Sequence, residues 1–216
     1  MFTCIIPTIK KSEKWRIQLP LLLENQFIEK VIIVVDLIEP YFADIDLYAE
    51  LGVPKIDKIL IHYTGGGYFC NGSWNKGVEL AKDAENIILV NDDIVFDPQS
   101  INRMADTNLE VFGIIGLSND GVFKEVISRP FGFGQLMFMK KKHFTPIPKG
   151  IKHWYGDDWL FYQMSLKGKP NYTLNCRIFE KEESASSGSE IVLEQIKKDT
   201  EWWELNNEPF KQFFWK

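Results

Sequence analysis

Several kinds of feature are scarce in this sequence, and each shortage narrows what the chain can be. There are only three histidines and three cysteines, Cys4, Cys70 and Cys176. The histidines, His62, His143 and His153, show no metal spacing, and the cysteines form no CxxC pair, so a zinc site and a disulfide framework are both disfavoured. Cys4 lies in an apolar run and reads as a small buried hydrophobe, and an odd, scattered set of thiols fits a reducing compartment. The N-terminus lacks the basic region, long apolar stretch and cleavage site of a secretory leader. No apolar run reaches the length of a membrane span, so no integral membrane segment and a cytoplasmic location are expected. Positive charge is not in surplus either. A net charge of −5 and a pI near 5.3 give no global sign of a nucleic-acid or anionic-membrane binder.

What is present is enough apolar material for a core. Hydrophobic residues make up 45% of the 216 positions and charged residues 25%, which suits one soluble domain or one domain with a small appendage. The first half alternates strand and helix signals. Residues 2–9 form a short apolar run broken by Pro7 and Thr8. Ser12 precedes Trp15, Leu19, Leu22 and Leu23 at near-helical spacing, with Pro20 expected to kink or end that helix. Residues 30–35 and 58–63 are rich in β-branched side chains and predict strands buried on both faces, as in a parallel sheet. Gly65, Gly66 and Gly67 then break the chain, residues 73–83 predict a helix, and residues 86–90 a further buried strand. Alternation of this kind implies β-α-β crossovers and an open sheet whose ligands sit at the carboxyl ends of the strands. Asp36 and Asn91-Asp92-Asp93 fall at such ends. Later signals are weaker: strands over 111–117 and 134–139, a helix over 159–167 closed by Gly168, a mobile Ser-, Glu- and Gly-rich stretch over 180–190, and a final helix followed by an aromatic tail.

Chemistry is carried by acidic residues. Burying Asp92 and Asp93 unpaired would be costly, whereas a hard divalent cation prefers such oxygen ligands and can share them with a diphosphate. Asp36 could accept hydrogen bonds from a base or ribose, or could equally be a turn or cap residue. The glycines of 65–67 could let a ligand approach the backbone, and Asn75 and Lys76 near a helix start could touch its phosphates, although the Walker spacing is absent. Asp157 and Asp158 lie between aromatics, where a carboxylate could take a proton from a hydroxyl, or could cap the following helix. Trp154 and Trp159 could stack on sugar rings.

Taken in order, these segments resemble family 2 glycosyltransferases with the GT-A fold, over about residues 2 to 190. The carriers are Cys4-Ile5-Ile6-Pro7-Thr8, Val31-Ile32-Ile33-Val34-Val35-Asp36, Asn75-Lys76-Gly77-Val78-Glu79-Leu80-Ala81, Val90-Asn91-Asp92-Asp93-Ile94 with Pro98, and Gly156-Asp157-Asp158-Trp159. The resemblance implies an α/β GT-A fold, Rossmann-like, with a mixed, mostly parallel sheet flanked by helices. It divides the chain into a domain over 1–190 and a helical, aromatic tail over 191–216 that packs on it. It further implies a nucleotide-sugar donor, usually a UDP-sugar, a Mn2+ or Mg2+ cofactor and an inverting transfer to a saccharide acceptor. Asp93 is then the metal ligand. Thr8, Asp36, Asn75, Lys76, Asn91 and Asp92 are donor-binding residues, Asp158 and Asp157 are catalytic, and Trp154 and Trp159 receive the acceptor. Three departures stand out. Asn91 replaces the usual aspartate, Asp157 replaces glutamate, and no histidine lies near Ser184-Ala185-Ser186, so that Glu180 is the substitute metal ligand expected. A modified base in DNA is a second acceptor class, against which the acidic pI argues. A nucleotide-sugar-binding subunit without turnover is a third reading. A nucleotidyltransferase is disfavoured because no glycine-rich phosphate loop follows the first strand.

Overall fold

The computed structural model describes residues 1–9, 11–37, 56–118, 121–182 and 189–214. Four parallel strands make one half of its main sheet: β1 (Phe2–Thr8), β2 (Ile28–Val35), β3 (Ile59–Tyr63) and β4 (Asn86–Val90). A short antiparallel ribbon joins β5 (Ile94–Phe96) to β10 (Ile178–Lys181). The remaining strands are β6 (Ile115–Leu117), β7 (Glu125–Val126), β8 (Leu136–Lys140) and β9 (Asn171–Leu174), and the large sheet runs β3-β2-β1-β4-β8-β6-β9-β7. β8 is antiparallel to both β4 and β6, β9 runs parallel to β6, and β7 closes the edge antiparallel to β9. The result is a mixed, mostly parallel sheet flanked by helices, as the sequence predicts.

Alternation along the central strands sends side chains into two cores. Cys4, Ile6, Val31, Ile33 and Val35 meet one helical layer, while Ile5, Ile32, Val34, Ile87 and Leu89 meet the other. Each strand therefore reads as continuously apolar. β3 is the exception. It lies at the sheet edge and only Ile59 is buried, so the expectation of burial on both faces fails there.

On the first face the Lys14–Glu24 helix buries Trp15, Leu19, Leu22 and Leu23. It continues through Pro20, so the helix does not end there, one of the two outcomes the sequence left open. Proline there forfeits one backbone hydrogen bond, a loss of about 3 kcal/mol. Burying four large apolar side chains at roughly 1.5–3 kcal/mol each outweighs it. On the second face the Phe69–Leu80 helix lies against β1 at Gly77, where a Cβ would come 2.2 Å from Ile5 Cγ2. This helix starts four residues earlier than the sequence suggested.

The second half departs further from expectation. The strand foreseen over 111–117 shortens to β6, and the one over 134–139 becomes a tight turn, Phe133–Gln135, followed by β8. The helix foreseen over 159–167 begins earlier, at Gly156, and ends at Leu166. The foreseen mobile stretch is in part ordered, because Glu180 and Lys181 belong to β10 and Ser189 caps the Glu190–Asn206 helix. Its residues 183–188, with Ser184, Ala185 and Ser186, lie outside the described residues, as does Trp215. The Glu190–Asn206 helix and the turn after it place Trp203 and Phe210 in the second core, stacked with Tyr155 and Tyr162. Among the described residues no helix is long and apolar enough to cross a membrane.

Candidate active site

A cleft of about 1020 Å3 opens at the carboxyl ends of β1, β2 and β4. It is walled by the loops following those strands, the glycine turn and first turns of the Phe69–Leu80 helix, the Arg129–Gln135 segment before β8, residues 153–158, and the start of the Glu190–Asn206 helix at Ser189, Ile191 and Val192. Of the predicted site residues, it gathers Thr8, Asp36, Asn91, Asp92, Asp93, Trp154, Asp157 and Asp158. Asn75, Lys76, Trp159 and Glu180 do not line it.

Along one wall, Asp92 Oδ2 accepts a 2.6 Å hydrogen bond from Thr8 Oγ1, which ties the ends of β1 and β4 together. Burial pushes the Asp92 carboxyl up to about 6; the Thr8 bond opposes the shift, and the charges of Asp93 and Glu182 add to it. Asp93 is raised by the same causes, burial first and Glu182 beside it, with Lys181 opposing. One Asp93 oxygen, Oδ1, is buried without a hydrogen-bond partner. Two more unpartnered buried oxygens line the cleft close by, Asn91 Oδ1 and Gln135 Oε1, on strand ends joined by the bond from Asn91 N to Gln135 O. Acceptors left this way call for a cation or for hydroxyl donors from a ligand.

The same cleft is lined by Asp157 and Asp158, in the first turn of the Gly156–Leu166 helix. Arg129 bridges them. Its Nε donates to Asp158 Oδ1 at 2.6 Å and its Nη1 lies 3.1 Å from Asp157 Oδ2. Burial pushes Asp158 up to about 6; Asp157 adds to the rise and Arg129 holds it back. Asp157 fits only because residue 134 is glycine, since a Cβ there would lie 2.6 Å from its own Cβ. Among the described residues, five aspartates and two cations, Lys11 and Arg129, line the cleft, an excess of negative charge.

Asp36 also reaches the cleft, but its oxygens are occupied. It accepts hydrogen bonds from Thr64 Oγ1, from Tyr68 N at 3.1 Å and from Phe69 N at 2.7 Å. It thereby caps the Phe69–Leu80 helix across the glycine turn, which corresponds to the capping alternative raised by the sequence. Gly65, Gly66 and Gly67 all have φ between 80° and 89°, a left-handed run that only glycine adopts cheaply. A Cβ at Gly65 or Gly67 would meet nothing within 4 Å, so conformation and not crowding requires them.

The side chains away from the cleft have structural partners. Asn75 exchanges hydrogen bonds with Ile147, through Nδ2 to O at 2.8 Å and from N to Oδ1 at 2.9 Å. Lys76 pairs with Glu79. Trp159 packs edge-on against Trp202 and Phe210. Glu180 pairs with Lys14 at 2.6 Å. Its neighbour Glu182 is the acid whose charge raises Asp92 and Asp93, and its N donates to Asp93 O. The helix motif Asn75-Lys76-Gly77 thus serves packing, and an acidic partner for Asp93 is found at Glu182 instead of Glu180. No group of three His, Cys, Asp or Glu suited to a metal ion occurs among the described residues.

Residues missed from sequence complete the site. Asn71 sits on the Phe69–Leu80 helix and donates through Nδ2 to Ile151 O and Trp154 O, so it secures the loop before Asp157. Arg129 and Gln135 lie in the Pro- and Gly-rich stretch 129–135. The only available signal was a lone arginine there, and nothing local says that it meets two carboxylates from residues 157 and 158.

No protein-family model matches the chain, and no curated protein matches it in sequence. Solved structures do match in fold. GalNAc-T7 with UDP, GalNAc and Mn2+ superposes with a TM-score of 0.65 at 10% identity, covering 99% of this chain and 50% of that one. TarS 1–349 of S. aureus in complex with UDP-GlcNAc gives 0.63 at 14%, covering 91% and 64%. Mannosyltransferase PcManGT from Pyrobaculum calidifontis, in complex with GDP-Man and Mn2+, gives 0.57 at 13%, covering 80% and 54%. The chain thus spans about half to two thirds of the length of these glycosyltransferases. Its fold is of the GT-A glycosyltransferase type.

Proposed function

We propose that the chain is a glycosyltransferase. It moves a sugar from a nucleotide-sugar donor to an acceptor hydroxyl, with inversion at the anomeric carbon and dependence on Mn2+ or Mg2+. A UDP-sugar is the donor the resemblance favours, and a saccharide is the acceptor. One observation carries the reading. Asp93, with an unpartnered carboxylate oxygen, and Asp158, a carboxylate raised toward neutrality, wall the same negatively charged cleft.

Charge supports the need for a cation. A diphosphate entering beside five aspartates and two cationic side chains adds negative charge that the described residues do not balance. Asp93, with its unpartnered Oδ1, would hold the ion, and Glu182 is its acidic neighbour. Mg2+ and Mn2+ suit a site with few protein carboxylates, because phosphate oxygens and waters fill the rest of the shell. When bound, the ion would offset charge on the departing diphosphate. Asn91 Oδ1 and Gln135 Oε1 are acceptors for donor hydroxyls, and the Thr8–Asp92 pair borders the same floor.

In the transfer step the acceptor oxygen bonds to the anomeric carbon as the bond from that carbon to the diphosphate oxygen breaks. The acceptor proton passes to the Asp158 carboxylate. A base with a proton affinity near pH 6 is ionised at neutral pH and still takes a proton well. Arg129 fixes the orientation of that carboxylate, and the half-exposed Trp154 indole offers a flat face to a sugar ring.

The test is a thermal-shift screen of nucleotide sugars with and without Mn2+, followed by turnover of any donor that binds. A donor at a hundred times its dissociation constant stabilises the fold by about 2.7 kcal/mol. Asp158→Asn is expected to lower turnover by about 10²- to 10⁴-fold while keeping the donor's thermal shift. A donor that binds without being turned over, with Asp158→Asn changing nothing, would leave the non-catalytic subunit as the better reading.

A further inference from the structure

The Glu190–Asn206 helix contributes more than apolar packing. Asp199, in its third turn, is completely buried. Its Oδ1 accepts from Lys152 N at 2.9 Å and Gln195 Nε2 at 2.7 Å, and its Oδ2 accepts from His153 N at 2.7 Å and Trp154 N at 2.8 Å. Three consecutive backbone N–H groups therefore converge on one carboxylate. Among the described residues no lysine or arginine pairs with it. A buried carboxylate is a poor choice where stability alone is at stake, because apolar packing does that without a desolvation penalty.

The segment it holds is the one that leads into the site. Trp154 is gripped at both ends of its backbone unit, N–H by Asp199 and C=O by Asn71, while its indole stays half-exposed in the cleft. Tyr155 follows with φ of 60°, a left-handed conformation that a bulky residue keeps only when its surroundings enforce it. The same helix enforces it, since Trp203 stacks on the Tyr155 ring at 5.1 Å with 7° between planes, and Thr200 Oγ1 lies 3.4 Å from Tyr155 Oη. Gly156 then opens the helix of Asp157 and Asp158 against the Asn71 side chain, where a Cβ would come 2.0 Å from Asn71 Oδ1.

We infer that Asp199 is a positioning residue for the acceptor side of the cleft. Through the backbone of Lys152, His153 and Trp154 it sets the Trp154 indole as a platform for a sugar ring and fixes the entry to the helix that carries Asp158. This rests on the transferase reading above and assigns the C-terminal helix to the acceptor site.

The experiment uses the full chain and its Asp199→Asn variant. Asparagine keeps the shape but turns one acceptor into a donor facing N–H groups. Hydrogen exchange read by mass spectrometry should show the amides of 152–154 exchanging about tenfold or more faster, with peptides from β1 and β4 unchanged. With whichever of UDP-GlcNAc and GDP-mannose stabilises the wild type in Mn2+, donor affinity from melting shifts should stay within about twofold while nucleotide release falls by about tenfold or more. Trp203→Leu, which removes the Tyr155 stack and leaves the carboxylate, should move both readouts in the same direction and serves if Asp199→Asn does not fold. Unchanged exchange at 152–154 would overturn the inference. So would faster exchange with full turnover, or a donor affinity that falls in step with turnover. If no nucleotide sugar of the screen above binds to or is turned over by the wild type, the transferase reading fails, and the exchange result alone still decides whether Asp199 sets the loop.

Discussion

At the scale of single residues, the Arg129–Asp158 pair governs how the cleft responds to pH. Burial and Asp157 raise the Asp158 carboxyl, the arginine opposes them, and the balance stands at about 6. Removing the arginine with Arg129→Gln should lift Asp158 further. Because the base must be ionised, the acidic limb of a pH–rate profile then moves to higher pH, and the loss of turnover is larger at pH 6.5 than at pH 9. Stability has its own sign. A carboxyl whose folded value lies above its unfolded one favours the fold fully below about pH 4 and loses that contribution as the pH rises through 6. Asp158→Asn should therefore raise the melting temperature at pH 8 and leave it unchanged at pH 4. Scanning calorimetry of the purified variant at the two pH values checks this.

At the scale of elements, the helices on the two faces meet the sheet by different means. The Phe69–Leu80 helix depends on contact at Gly77, where an added methyl has no room beside Ile5. Gly77→Ala should destabilise by about 1–3 kcal/mol in urea unfolding, with little change in slope. The Lys14–Glu24 helix instead tolerates a flaw, and Pro20→Ala should stabilise it by about 1–3 kcal/mol. These contrasts explain what the sequence reveals. β1, β2 and β4 are legible because burial on both faces leaves an unbroken apolar run. β5, β7, β9 and β10 are two to four residues long, too short for any period to emerge, and long-range pairing alone defines them. Asp92, Asp93, Asp157 and Asp158 are legible because they stand beside apolar and aromatic runs, where a carboxylate is costly to bury without a partner. Arg129 is not, because its meaning depends on a partner 29 residues away. Asn75 and Lys76 show the reverse error. A helix start resembling a ligand site proves to be a clasp on residue 147 and a surface ion pair.

At the scale of the molecule, the four parallel strands bring one set of carboxylates to the ends of β2 and β4, and the irregular second half brings Asp157 and Asp158 to the same cleft. Mn2+ together with UDP should raise the melting temperature more than either alone. Asp93→Asn should abolish the part that needs Mn2+, a difference of about 1–3 kcal/mol measured by differential scanning fluorimetry. The segment 147–155 crosses this arrangement as a strap buckled at three points by side chains from elsewhere: Asn75 at residue 147, Asn71 at 151 and 154, and Asp199 at 152–154. Anyone wishing to change what the cleft accepts by grafting that strap from another scaffold would have to carry its three buckles along, one of them 45 residues downstream of the strap's own tryptophan.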